Sequence, residues 1–119
     1  VLAQRSDQTR RAGVHVSVTR TKGSPDQPVE IATITGEEML PWLQQIHGFE
    51  GLLMLSNEAE GITLVLTFWE SREVAEQHRA ARMQLRDRVT STVDVEVEET
   101  VDYEVTFAHL ESPMVEPKQ

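Results

Sequence analysis

The sequence predicts an α+β fold of element order β-α-β-β-α-β, and three observations carry that prediction. Ile62 to Trp69 is rich in β-branched and aromatic side chains, and an amphipathic, Ala- and Arg-rich helical pattern follows after only Glu70 and Ser71. Val14, Val16 and Val18 alternate with His15, Ser17 and Thr19, the period of a strand with one buried face. Near the other end, Val93, Val95, Val97, Val101, Tyr103, Val105 and Phe107 occupy odd positions and Asp94, Glu96, Glu98, Asp102 and Glu104 even ones. That alternation predicts a strand with an apolar buried face and an acidic solvated one.

Taken in order, residues 1–13 are polar and aperiodic and are expected to be a disordered leader. The first strand begins near Val14 and ends in the loop chemistry of Lys22-Gly23-Ser24-Pro25-Asp26. From Pro28 to His47 two readings compete. Ile31, Ile34, Met39 (or Glu38), Trp42, Leu43 and Ile46 recur at helical spacing, which favours a helix over about 27–46, bent near Pro41. The rival is a short strand over 29–35 with a helix from Glu37. Gly48 stops the helix, and Phe49 to Leu55 reads as the second strand. Residues 56–61 form a hairpin turn in which Asn57 and Gly61 can take positive φ. Ile62 to Trp69 is the third strand, apolar on one face (Ile62, Leu64, Leu66, Phe68) and largely so on the other (Val65, Trp69, two threonines).

Ser71 is the expected N-cap of the second helix, with Glu73 and Glu76 at the positive end of its dipole. Its inner stripe reads Val74, His78, Ala81, Leu85 and Val89, with Ala75 and Met83 at the margins; Arg72, Glu76, Arg79, Arg86 and Arg88 are expected mostly in solvent. Glu99 interrupts the last strand and marks a bulge or bend. A single domain over 14–109 and a disordered tail over 110–119 complete the division. Right-handed crossovers turn this order into a ferredoxin-like antiparallel four-stranded sheet with both helices on one face. The other face then needs a cover, and a second copy packed sheet to sheet supplies one, so a symmetric homodimer is expected.

Length and composition narrow the function classes. A chain of 119 residues is one domain, and its net charge of −9 argues against nucleic acid, whose phosphates call for clustered Lys and Arg. No apolar run approaches a membrane span, the first residues lack a signal-peptide core, and the cytoplasm is the expected compartment. Cysteine is absent, which excludes disulfides and thiolate metal sites. Neither HxH nor HExxH occurs, nor a phosphate-binding glycine loop, nor a nucleophile elbow; neither a metal nor a cofactor is expected.

The segments HGFEGLLML (47–55), ITLVLTFWESREVAEQHRAA (62–81) and VDYEV (101–105) resemble the antibiotic biosynthesis monooxygenase-like family of small dimeric α+β barrels. The likeness runs over about 14–107 and rests on a GF-x-G entry to the second strand, a Trp-Glu-Ser exit from the third and an aromatic-plus-acid final strand. It implies a dimer, and in some members cofactor-independent oxygenation of aromatic or polyketide substrates. The haem-degrading branch has an asparagine on the first strand, where this chain has Val16 and Ser17, and a tryptophan and histidine on the second helix, where His78 and Arg88 fall. The anthrone-oxidising branch shares the strand tryptophan, matched by Trp69, but its early-helix tyrosine has no counterpart over 71–77.

Two function classes stand. In the first, the chain is a cofactor-independent monooxygenase: His78, facing the sheet, removes a phenolic proton, and Trp69 stacks on a flat ligand or donates its indole N–H to an oxyanion. Met39, Trp42 and Met83 line a helix–sheet pocket of some hundreds of Å3 around an apolar or aromatic ligand. In the second, the protein is a non-catalytic homodimer that binds a small apolar ligand or serves as a structural module, and the same side chains are core. His15 and His47 read as surface or boundary residues.

Overall fold

In the computed structural model, residues 14–24, 27–93 and 95–111 are described, so the expected leader and most of the expected tail lie outside the described residues. The elements are β1 (His15–Lys22), α1 (Gln27–Leu43), β2 (Phe49–Asn57), β3 (Ile62–Trp69), α2 (Arg72–Gln77), α3 (Arg79–Val93) and β4 (Glu96–Glu104). The four strands form one antiparallel sheet in the order β2-β3-β1-β4, the expected ferredoxin-like arrangement. None of the described helices is long and apolar enough to cross a membrane.

The segment after Asp26 is helical to Leu43, which settles the choice in favour of the helix, three residues shorter than the expected 27–46. Its β-branched residues give way because Met39 and Leu43 dock against the sheet, and Pro41 falls in the last turn, where the lost N–H removes one bond near an end. Ile34, Trp42 and Ile46 pack around that contact half-buried.

Two glycines set the turns. Gly48 has φ +98°, and a Cβ there would lie 2.7 Å from Val74 Cγ1, so the β2 entry and α2 touch at a point only glycine leaves open. Gly61 has φ +70° at the end of the β2–β3 turn; a Cβ there would run into the Gly23 carbonyl, and Gly23 N donates to Gly61 O at 2.8 Å.

Ser71 caps α2 as expected, accepting from Val74 N at 3.2 Å. The second helix departs from the predicted single run because α2 ends at His78, the C-cap, and α3 restarts at Arg79. The inward face then runs Ala75, Arg79, Arg82, Leu85 and Arg86, while Ala81, assigned to the buried stripe, is exposed. Helix α3 also continues to Val93, which the sequence reading placed at the start of the last strand. The bulge in β4 is present: Glu99 pairs with Arg20 and Val97 with Thr21, leaving Glu98 extra.

Register fixes what each face of the sheet carries. On the helix side the cross-strand rows are Phe49–Trp69–His15–Glu104, Leu52–Thr67–Ser17–Asp102, Met54–Val65–Thr19–Thr100 and Ser56–Thr63–Thr21–Val97. On the other side they are Gly51–Phe68–Val16–Tyr103, Leu53–Leu66–Val18–Val101 and Leu55–Leu64–Arg20–Glu99. The helix-covered face therefore grades from apolar at β2 to hydroxyl- and carboxylate-rich at β4. The uncovered face carries two apolar rows, and Leu55 and Tyr103 are exposed on it. This corrects one expectation for β4, a single apolar face and a solvated acidic one: Val101 and Tyr103 point away from the helices, the bulge turns Val97 to the helix side, and Asp102 lies under the helices. The packed core, Met39, Leu43, Trp69, Ala75 and Leu85, sits between the helices and the β2–β3 half of the sheet.

Candidate functional site

Between α1, α3 and the β1–β4 half of the sheet the packing opens into a cleft of about 50 Å3. Its apolar wall is Met39, Leu43, Val65 and Met83. Its polar wall is the hydroxyl ladder Ser17, Thr19, Thr21, Thr67 and Thr100, faced by Arg82, Arg86 and Thr90 of α3. Short β-branched hydroxyl residues suit strand geometry and leave volume under the helix that valine-to-leucine substitutions would fill. The long arginine stems span that volume, which makes the space smaller than the hundreds of Å3 expected from the sequence. It has room for about three or four waters, at roughly 10–15 Å3 each.

The arginines are held individually. Arg82 lies with its guanidinium carbon 5.0 Å from the Trp69 ring centroid and donates from an Nη to the Ala75 carbonyl at 2.7 Å. Its Nε is buried and makes no hydrogen bond among the described residues. Desolvation by burial lowers the Arg82 pKa, Arg79 adds repulsion, and Asp102 and Glu76 only partly offset them. Arg86 donates to Thr100 Oγ1 at 3.2 Å and to Asp87 Oδ1 at 2.9 Å. Arg82 thus brings a desolvated cation to the cleft wall.

Paired with Ser17 across β1 and β4, but outside the cleft lining, lies a second polar group. Asp102 accepts from Arg79 at 3.0 Å, and its other oxygen stands 3.6 Å from His15 Nε2. Burial pushes the Asp102 carboxyl up, but the Arg79 hydrogen bond, the His15 charge and the Ser17 hydroxyl outweigh it and hold the pKa below the ordinary value of 3.8. The same contact raises the Arg79 pKa. His15, read from the sequence as surface or boundary, is 5% exposed, since it lies on the helix-covered face of the sheet beside Trp69.

The residues singled out in the sequence separate in space. Met39 and Met83 line the cleft. Trp69 is fully buried beneath it, edge-on to Phe49 at 5.5 Å, with its indole N–H donating to Thr67 Oγ1 at 3.0 Å. That bond occupies a lone pair of the Thr67 hydroxyl and leaves its proton free to donate toward the cleft. Trp42 packs half-buried against the core on α1 and is not itself a lining residue. His78 is half-buried at the joint between α2 and α3; it is not a lining residue, although its carbonyl accepts from Arg82 N at 2.9 Å. Arg82, Arg86, Thr67, Thr100 and Asp102 were missed. The available signal was the 75–79–82–86 spacing, which places the arginines on the inward face once a break at His78 is allowed. Among the described residues no group of three His, Cys, Asp or Glu is arranged to hold a metal ion.

No family model and no curated protein matches the sequence. Solved structures do match. A monooxygenase of Streptomyces coelicolor, in complex with the ligand nanaomycin D, superposes with a TM-score of 0.67 at 17% identity, covering 88% of this chain and 97% of that one. A Deinococcus radiodurans protein described as an antibiotic biosynthesis monooxygenase gives 0.60 at 16% identity, covering 83% and 99%. A Nitrosomonas europaea protein of unknown function gives 0.60 at 13% identity, covering 84% and 96%. The chain has the fold of these proteins, an α+β ferredoxin-like fold that antibiotic biosynthesis monooxygenases share.

Proposed function

We propose that the protein is a cofactor-independent monooxygenase of the antibiotic biosynthesis monooxygenase type, acting as a homodimer on a flat aromatic or polyketide-like compound with an ionisable oxygen. The carrying observation is the pairing, in one cleft, of an apolar wall with the desolvated Arg82, whose Nε has no partner among the described residues. A phenolate or enolate oxygen would accept from Arg82 and Arg86, and Thr67, oriented by Trp69, would donate a further bond. Stabilising that anion lowers the cost of removing a proton from an activated CH2. The resulting carbanion gives two electrons to O2, forming a C–OOH group; loss of water leaves a carbonyl, so CH2 + O2 becomes C=O + H2O. In this scheme Met39 and Met83 swing aside to admit the ring, as unbranched side chains can, and His78 is the candidate base, one turn before Arg82 on the helix.

The homodimer is supported by the two apolar rows on the uncovered face, which leave Leu55 and Tyr103 exposed in one copy. A second reading, a non-catalytic dimer that binds a small ligand, is favoured by the small cleft and by the position of His78 outside its walls. Oxygen uptake with hydroxyanthrones and hydroquinones separates the two. The monooxygenase reading expects turnover in the wild type and a loss of at least tenfold in Arg82→Met. Absence of uptake with every compound that binds would favour the binding module. Equal turnover in His78→Ala would remove His78 from the mechanism and leave the arginines in it.

A further inference from the structure

A buried polar row leads out of the cleft wall. On the helix side of the sheet Thr67, Ser17 and Asp102 lie side by side on β3, β1 and β4. Side chains paired across neighbouring strands stand about 4.5–5.5 Å apart at Cβ, close enough for hydroxyls to bond one another. Thr67 and Ser17 are both buried and both line the cleft. Thr67 accepts the Trp69 indole N–H at 3.0 Å, which leaves its own proton free to donate onward. At the far end the Ser17 hydroxyl helps to hold the Asp102 carboxyl ionised.

Asp102 divides its two oxygens between two basic partners. Oδ2 takes a charge-assisted bond from Arg79 at 3.0 Å, which anchors the carboxylate. Oδ1 is buried, has no hydrogen-bond partner among the described residues, and faces His15 Nε2 at 3.6 Å. A buried carboxylate oxygen without a donor costs free energy. A proton on His15 Nε2 would supply that donor and turn a long contact into a charge-assisted hydrogen bond. His15 is 5% exposed, so a proton placed there is kept from bulk water. The other charges that bear on it are Glu104, its neighbour on β4, and Arg79 and Glu76, which reach it through Asp102; β3 brings Trp69 beside it, with Arg82 stacked on the indole.

We infer that His15 and Asp102 form a proton store for the cleft, filled and emptied through the Ser17 hydroxyl. This rests on the monooxygenase reading and gives the proton of that scheme a destination inside the fold, distinct from His78 at the helix joint. When the CH2 is deprotonated, the C–H electron pair stays on the substrate. Ser17 passes its own proton to the pair and takes the incoming one. The carbanion gives two electrons to O2, and the stored proton returns to the terminal oxygen of C–OO−, giving C–OOH. Loss of the second C–H proton then forms C=O as the O–O bond breaks, and that proton converts the departing hydroxide to water. No proton has to cross to solvent. His15 and Asp102 act through Ser17 and are positioning residues for the proton.

Two measurements with a hydroxyanthrone test this. Anaerobic calorimetry in buffers of differing ionisation enthalpy counts the protons released on binding. The wild type should release none while the ligand absorbs as its ionised form, whereas His15→Gln and Ser17→Ala should each release about one per ligand. In oxygen uptake near pH 8 both variants should lose about a hundredfold in kcat with KM little changed, and the loss should shrink toward about pH 6 as solvent supplies the proton. Ser17→Thr keeps the hydroxyl and should match the wild type. A merely structural role would lower thermal stability without this pH dependence. Release of a full proton by the wild type, or kcat–pH profiles of both variants that overlay the wild type's, would overturn the proton store and leave the monooxygenase reading standing. Absence of uptake with every compound that binds would overturn the monooxygenase reading, and the proton count, taken without O2, would still decide the store.

Discussion

Trp69 is where packing and chemistry are most easily confused, and a double-mutant cycle with Thr67 separates them. The indole is fully buried, edge-on to Phe49, beneath the Arg82 guanidinium and bonded to Thr67 Oγ1. Trp69→Phe keeps an aromatic ring but removes that bond, about 1 kcal/mol net, weakens the cation–π contact by about 0.5–1 kcal/mol and leaves a small void. A loss of about 2–3 kcal/mol is expected, against about 3–5 kcal/mol for Trp69→Ala. Thr67→Val leaves the indole N–H buried without a partner and costs about 1–3 kcal/mol. Once Trp69 is phenylalanine, the Thr67→Val step loses most of that cost, so the cycle should give a coupling of about 1 kcal/mol. Urea unfolding followed by far-UV circular dichroism measures all four variants. A Trp69→Phe loss below about 0.5 kcal/mol, or additive single effects, would refute the packing role and reopen a direct catalytic one.

Other outcomes follow from the same contacts. Asp102 has a folded pKa below its unfolded one, so the stability it contributes is present above pH 3.8 and is lost as pH falls through the depressed folded value; Asp102→Asn should flatten the acid limb of a stability–pH curve and leave the limb above pH 6 unchanged in slope. Gly48→Ala must strain a φ of +98° and meet Val74, and a loss of about 1–3 kcal/mol is expected; Val74→Ala in the same chain should recover the steric part, read by thermal denaturation. Ser71→Ala removes the α2 cap and should cost about 1 kcal/mol in the same assay. Arg82→Met removes a desolvated cation but keeps its apolar stem, so stability should change by less than about 1.5 kcal/mol while anion binding falls.

The fold was legible because periodicity reports burial. β1, β2 and β3 alternate or run apolar, α1 keeps its helical spacing despite VEIATIT, and the Ser71 cap and Gly61 turn are stated by single residues. The site was less legible because alternation says which residues share a face and not which way that face looks. In β4 the valines were read as one buried face and the acids as a solvated one. The uncovered face takes Val101 and Tyr103, Val97 turns to the helix side across the bulge, and Asp102 turns under the helices to meet Arg79. Arg79 and Arg86 were set aside as solvated by residue type, since a charged side chain on a helix usually is, and Arg82 was assigned to neither face. The threonines opposite them on β1, β3 and β4 were the missing half of the pattern, and only the sheet register brings the two together.

Stabilisation of a ligand anion by Arg82 and Arg86 can be read without turnover. A hydroxyanthrone is titrated anaerobically, free and bound, by the absorbance of its ionised form. A charge-assisted hydrogen bond worth about 1.5–3 kcal/mol lowers the ligand's pKa on binding by about one to two units. The wild type should give that shift, and Arg82→Met should bind the neutral form and lose most of it. An unchanged pKa on binding to the wild type, or the same shift in Arg82→Met, would contradict an anion site in the cleft.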